Sequence, residues 1–373
     1  MNPYETLPET AFWKPAVAAR PPLEIADLWQ PAFRIAPADT VVTYGSCFAQ
    51  HIGRALKARG YRWRSFESAP AGMAEDSARR FGYDIFSSRT ANIYTATLLR
   101  QWVSWASGEP VPGEVWTDPG TGRVFDPFRP AIEPGGFASA EEMRHLRDVT
   151  IAAFRESIET ARVFVFTLGL TESWFDAAGH EYPMCPGTLA GSFDPARHRF
   201  VNQDFATVRS ALVAAMSMMR RMNRRLRFLL TVSPVPLTAT CSGRHVLTAT
   251  VHSKSILRAV AGQLAAERSD TDYFPSYEII TSPVFGGRFY EANRRSVTAE
   301  GVGFVMDSFF RCLAGSGAPV PVPGPAPDSG PAAGPAAAGA EAEARAAEDV
   351  QCEEEVLQAF AGGPAAPAGG PAR

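Results

Sequence analysis

Three residues, Gly45-Ser46-Cys47, stand between a β-branched run, Thr40-Val-Val-Thr-Tyr44, and apolar residues at helical spacing, Phe48, Ile52 and Leu56. A serine at a strand-to-helix turn exposes its hydroxyl, and the N–H groups that open the helix favour negative charge beside it. Those are the needs of an acyl-transfer nucleophile with an oxyanion hole. Gly45 lets the backbone turn there without a Cβ clash. The plainer alternative is that Ser46 only caps the helix. Cys47 is a second candidate nucleophile, since a helix N-terminus lowers a thiol pKa, against the reading of a packed, inert thiol.

Such a serine needs a proton acceptor. The six histidines are His51, His145, His180, His198, His245 and His252. His245 and His252 follow the strand that ends near Pro236, on the rim expected to carry Ser46. His245, read in a loop, is the preferred base; His252 leads into a helix. His51 lies one helical turn beyond Ser46, and His180 and His198 flank a Gly/Pro-rich loop at the surface. Lys254 is one of only 3 lysines and is read at a helix start, where a cation does not suit the dipole. An anion-binding or serine-activating role for it competes with a solvated side chain. Glu172 either orients a histidine or contacts substrate, or else sits in the first turn of a helix. Arg129, within Asp126-Pro-Phe-Arg-Pro130, either holds a carboxylate or sugar acid or forms an internal ion pair.

The elements that would position these groups alternate between strand and helix. Strands are expected at 40–44, 163–167, 227–232 and 277–281. Helices are expected at 205–222, 253–267 and 298–313, with Gly60 ending the one after Ser46. Continuous apolar strands separated by helices imply a parallel sheet covered on both faces. Residues 68–145, with Trp102, Trp105 and Trp116, fit this rhythm less well and read as a cap-like insertion, helical over 93–107. Its aromatics either form a packed subcore or line a substrate site.

Tyr44-Gly-Ser-Cys-Phe-Ala49 resembles the signature of the GSCFA-domain family, itself similar to the SGNH/GDSL hydrolases. The likeness runs over roughly residues 35–312. It includes Asn92-Ile-Tyr94, Asp126-Pro-Phe-Arg-Pro130, Phe166-Thr-Leu-Gly-Leu-Thr-Glu-Ser-Trp174, Thr231-Val-Ser-Pro-Val235, Ser253-Lys254 and Asp272-Tyr-Phe-Pro-Ser-Tyr-Glu278. The resemblance implies a three-layer α/β/α sandwich with a mostly parallel, flavodoxin-like sheet. It implies Ser46 as nucleophile and an oxyanion hole from the Ser46 N–H, the Ser88-to-Asn92 block and the Gly169-to-Glu172 block. In that last block Thr171 and Glu172 replace the Asn-Asp of the hydrolase pattern. Asn293 and Ser296 stand where that pattern has its Asp-x-x-His pair, so the usual base is missing.

Composition bounds the rest. The 373 residues are 46% apolar and 20% charged, enough to bury a core, and the net charge of −3 argues against a general polyanion binder. The five scattered cysteines make a poor disulfide framework and suggest a reducing, cytoplasmic setting. Neither a signal peptide nor a membrane span is legible, and no nucleotide-cofactor or metal motif is present, so no cofactor and no nucleic-acid partner are expected. Residues 1–34 read as an extension. Residues 313–373, rich in Ala, Pro, Gly and Glu, carry 2 basic and 8 acidic groups, net −6, leaving 34 − 31 = +3 on residues 1–312. That tail reads as disordered, with a transient helix over 341–361 and a possible role in docking a protein partner. The expected function is that of a serine esterase or acyltransferase acting on an acyl ester, with a carbohydrate as a candidate carrier. The alternative is an inactive, SGNH-like binding module.

Overall fold

The computed structural model describes residues 2–314 and 352–361. In chain order the elements are β1 (Val41–Gly45), α1 (Ala49–Ala58), α2 (Glu75–Arg80), α3 (Ala96–Ala106), β2 (Trp116–Thr117), β3 (Val124–Phe125), α4 (Ala140–Thr160), β4 (Val163–Leu168), β5 (Glu172–Phe175), β6 (Glu181–Tyr182), β7 (Arg199–Asn202), α5 (Phe205–Met222), β8 (Arg227–Val232), α6 (Val246–Glu267), β9 (Thr271–Tyr273), α7 (Ser276–Thr281) and α8 (Ala299–Ala314). The central sheet has the order β1-β4-β8-β9 and is parallel throughout, with Tyr44 opposite Phe166 and Phe166 opposite Leu230.

Every residue of β1 and β4 is buried, as a sheet covered on both faces requires. Strand alternation sorts the side chains between two cores. Val42, Tyr44, Phe164, Phe166, Phe228 and Leu230 face α3, α4, α5 and α6. Val41, Val163, Val165 and Leu229 face α1, α7, α8 and the N-terminal Trp29 and Phe33. The result is the expected α/β/α sandwich. No described helix is long and apolar enough to cross a membrane.

Three element assignments differ from the sequence reading. The apolar run at 277–281 is helical (α7), and the fourth strand is the preceding Thr271–Tyr273. A five-residue apolar run does not distinguish strand from helix, and Pro275 ends the ladder just after β9. Helix α6 begins at Val246 rather than 253; Thr248, Thr250 and Val251 hide its first turns from propensity. His245 is therefore its N-cap, His252 lies inside it, and Lys254 sits about two turns in rather than at its start. Glu172 opens a strand, not a helix.

Within 68–145, α3 packs on α5, and Trp102 and Trp105 join the main core, so this part is built into the helical layer. The aromatics of the stretch pack together, as in the Trp105–Phe128 edge contact. Arg129 forms the internal ion pair: its Nε lies 2.8 Å from Asp126, which Arg147 meets at 2.7 Å, all nearly without solvent exposure. Burial pushes the Asp126 carboxyl up, but the two guanidinium groups outweigh it and hold it below its usual range.

Of the tail, Glu353–Phe360 is a 3₁₀ helix, and Glu354 is buried against the domain rather than solvated. The remainder of the helix expected over 341–361 falls outside the described residues.

Glu181 is 1% exposed, at the base of α3, accepting a hydrogen bond from the Thr95 hydroxyl. Burial pushes its carboxyl up to about 7. A carboxyl raised in the fold stabilises below its ordinary pKa, and that contribution is lost as pH rises through about 7. Glu181→Gln is expected to match the parent's stability at pH 5 and to exceed it by about 1–3 kcal/mol at pH 8. Urea unfolding at the two pH values checks this, and an equal effect at both would refute the ionisation argument.

Candidate functional site

At the C-terminal end of β1 the backbone takes a conformation that only glycine adopts readily. Gly45 has φ +130°, and a Cβ there would run into the Thr167 carbonyl of β4. The close approach lets the Ser46 N–H donate to Thr167 O at 3.0 Å. That N–H, expected as an oxyanion donor, is thus committed to the sheet. The Ser46 side chain points away from its own helix: α1 has no side-chain cap, and Ser46 Oγ is buried with no hydrogen-bond partner among the described residues. The capping alternative fails on this geometry.

The wall facing Ser46 comes from the turn after β4. A Cβ on Gly169 would sit 2.9 Å from Ser46 Cβ and 3.2 Å from the Tyr94 carbonyl, so position 169 has no room for a side chain. The Gly169 and Leu170 N–H groups both donate to Tyr94 O, at 2.9 and 3.0 Å, tying this turn to the Asn92–Tyr94 block. The Gly169 carbonyl accepts a 2.7 Å hydrogen bond from Lys254 Nζ. Lys254 is 1% exposed. Burial lowers its pKa to about 8, and Arg295 pushes the same way while Glu354 and Cys47 oppose it. Ser253 supports the same turn by accepting from the Thr171 N–H at 3.1 Å.

Other expected groups are engaged elsewhere. The Thr171 hydroxyl donates to Asn202 at 2.7 Å, so it offers no proton toward Ser46. Glu172 accepts from the Thr240 hydroxyl and, at 3.1 Å, from the Cys241 N–H; it fastens the loop before α6 and orients no histidine. Burial raises its carboxyl pKa. His245 is exposed, with Nδ1 accepting from the Leu247 N–H at 3.2 Å, and is not hydrogen-bonded to Ser46. His252 is exposed too. His51 is buried against Phe48, and desolvation lowers its pKa to about 3, so it stays neutral. Asn293 is exposed and Ser296 half-buried, and the Asn293 amide donates to the Ser296 hydroxyl at 2.9 Å.

Sequence reasoning missed two contributors. Arg295 lies between Asn293 and Ser296, in a stretch read only for its missing Asp-His pair. It is 8% exposed, and its charge acts on Cys47 and Lys254. Its signal was present as an arginine beside a family block, lost among 32 others. The second contributor is the tail segment 352–355. Arg295 meets Glu354 at 3.6 Å and Glu355 at 3.5 Å, and donates to Cys352 Sγ at 3.7 Å. The Cys352 and Cys47 thiols are hydrogen-bonded; that bond and burial push the Cys47 thiol well up, while the same bond, with Arg295, brings Cys352 down. Glu353 accepts a hydrogen bond from the Asn92 side chain, and burial pushes its carboxyl up to about 7. Beyond it a cavity of about 20 Å³ remains, lined by Gln50, Ile85, Asn92 and Ile132 among others. An open groove of about 1020 Å³ lies over α3 and α5 and includes none of Ser46, Lys254 or Arg295.

The arrangement is a buried, unpartnered serine hydroxyl at the mouth of a parallel sheet, with an ammonium and a guanidinium close by and the chain's own carboxylates over them. A family model, GSCFA, matches residues 40–309, which is 270 of the 373 positions, and the chain belongs to the GSCFA family. No curated protein and no solved structure matches it.

Gly45→Ala is expected to lose about 3 kcal/mol or more, because it combines a left-handed backbone with a collision against the β4 main chain. Chemical denaturation measures this; a loss below about 1 kcal/mol would mean the β1–β4 approach is looser than described.

Proposed function

We propose that this chain is a serine-dependent acyl-ester enzyme, an esterase or acyltransferase of SGNH-like type, with Lys254 in place of a histidine base. The observation that carries the reading is the unpartnered Ser46 hydroxyl packed against Gly169, whose carbonyl accepts from the Lys254 ammonium. A lysine whose pKa falls to about 8 by burial is neutral in an appreciable fraction of molecules near neutral pH. In its neutral form it takes the Ser46 proton as Oγ attacks the acyl carbon. The bond to the leaving oxygen then breaks, and the Lys254 ammonium returns the proton to that oxygen. Water or an acceptor hydroxyl resolves the acyl-serine by the reverse sequence, which is why hydrolysis and transfer share the first half. The Asn92 amide, which here donates to Glu353, supplies a donor for the developing oxyanion. A carbohydrate ester remains the candidate substrate carrier, and no metal or nucleotide enters the mechanism.

A fluorophosphonate probe, incubated for hours so that local opening admits it, is expected to label Ser46. Ser46→Ala abolishes labelling, and Lys254→Met slows it by about a hundredfold or more. His245→Ala changes it less than twofold. Because the base must be deprotonated, the labelling rate should climb with pH and level off above about 8. A flat profile, or an intact rate in Lys254→Met, removes Lys254 from the mechanism. The second reading, a binding module without catalysis, is favoured by the mutually bonded Asn293 and Ser296 where the hydrolase pattern has its Asp-His pair. Absence of labelling in a folded chain opened by the tail substitutions described below selects it.

A further inference from the structure

With segment 352–361 in place, the Arg295 guanidinium, the Lys254 ammonium and the unpartnered Ser46 hydroxyl are all buried. A guanidinium buried in this way calls for an anion, because an unpaired buried charge is strongly unfavourable. What supplies it is a segment separated from α8 by 37 residues, 315–351. Its neighbouring acids divide between two positions. Glu353 meets Asn92 beside Ser46, whereas Glu354 and Glu355 meet Arg295. The small cavity past Glu353 shows that the segment does not fill the space completely.

We infer that Arg295 is an acid-recognising subsite next to Ser46, and that segment 352–355 occupies it as a tethered competitor of an acidic, carboxylate-bearing substrate. The inference rests on the proposed acyl chemistry for the word substrate; the binding site itself does not. Arg295 suits the role because its planar fork stays charged when desolvated and pairs with carboxylates in fixed geometry. It also leaves Lys254 bonded to Gly169, free of direct pairing, so anion recognition and proton transfer fall to different cations. A tethered carboxylate competes intramolecularly, so a substrate of the same chemistry must outcompete it, or the segment must be drawn away, before Ser46 is reached. The +3 domain and the −6 tail favour the closed state electrostatically.

Cys47 lies under the segment at 4% exposure and reports on it without involving Ser46 chemistry. Iodoacetamide alkylation of Cys47 is followed by peptide mass spectrometry in the full chain. The triple variant Glu353→Gln, Glu354→Gln, Glu355→Gln is expected to react about tenfold faster or more than the parent, at unchanged circular dichroism. A blocked synthetic peptide of residues 350–361 with Cys352→Ser, added to that variant, should restore protection. The same peptide with the three Glu→Gln changes should not. Arg295→Gln opens the site from the other side and should raise the rate similarly while ignoring the acidic peptide. Unchanged alkylation in both opened chains, or equal protection by the acidic and the neutral peptide, overturns the inference. Running the series in Ser46→Ala separates it from the acyl reading, since these rates are expected to persist even if no acyl chemistry exists.

Discussion

At the C-terminal ends of β1 and β4 the two backbones run so close that one methyl group on residue 45 would collide with Thr167. That approach fixes what the site can do. It draws the Ser46 N–H into the sheet and turns the Ser46 side chain off its helix. It also brings the Gly169 turn against Ser46, where a second absent side chain is needed. Two glycines therefore let main chain pack on main chain, and the hydroxyl is held by geometry rather than by a hydrogen bond of its own. An unsatisfied buried polar group costs about 1–3 kcal/mol.

The electrostatics follow from that frame. Lys254 reaches the site because α6 starts seven residues before Ser253 and carries it in on a buried face, where the Gly169 carbonyl receives it. Arg295 arrives from the opposite side, on the turn between Tyr290 and Val297 that precedes α8. Burial, with a smaller push from Arg295, lowers the Lys254 pKa to about 8, while Glu354 and Cys47 oppose it. The carboxylates of segment 352–355 then complete the charge balance. Both Glu353 and Glu354 are raised in pKa by burial, so the segment is held at some cost to its own ionisation.

The family block that looked most damaged turns out to be occupied rather than empty. Asn293 and Ser296 bond to each other at the surface, while Arg295 between them turns inward. The Thr171 hydroxyl fastens β5 to β7, and Glu172 fastens β5 to the loop before α6. The turn after β4 is thus braced by its side chains and offers only a carbonyl, that of Gly169, to the site.

The α/β rhythm was legible in the sequence because it depends on local periodicity and composition. Val41–Gly45, Val163–Leu168 and Arg227–Val232 are apolar runs too continuous for anything but a doubly covered sheet, and Ser46 follows the first of them. Where periodicity is ambiguous the reading failed: at 277–281, and over the β-branched first turns of α6, whose misplacement put His245 in a loop and Lys254 at a helix end. The tail's composition said nothing of where its few acids would settle. Only tertiary structure decided that Lys254 rather than His245 shares the Gly169 wall, that Arg295 enters the pocket, and that Glu353 and Glu354 lie over it. The reason is that pairing across 60 to 260 residues is chosen by burial and charge compensation in three dimensions, and neither quantity is encoded in any local stretch of the chain.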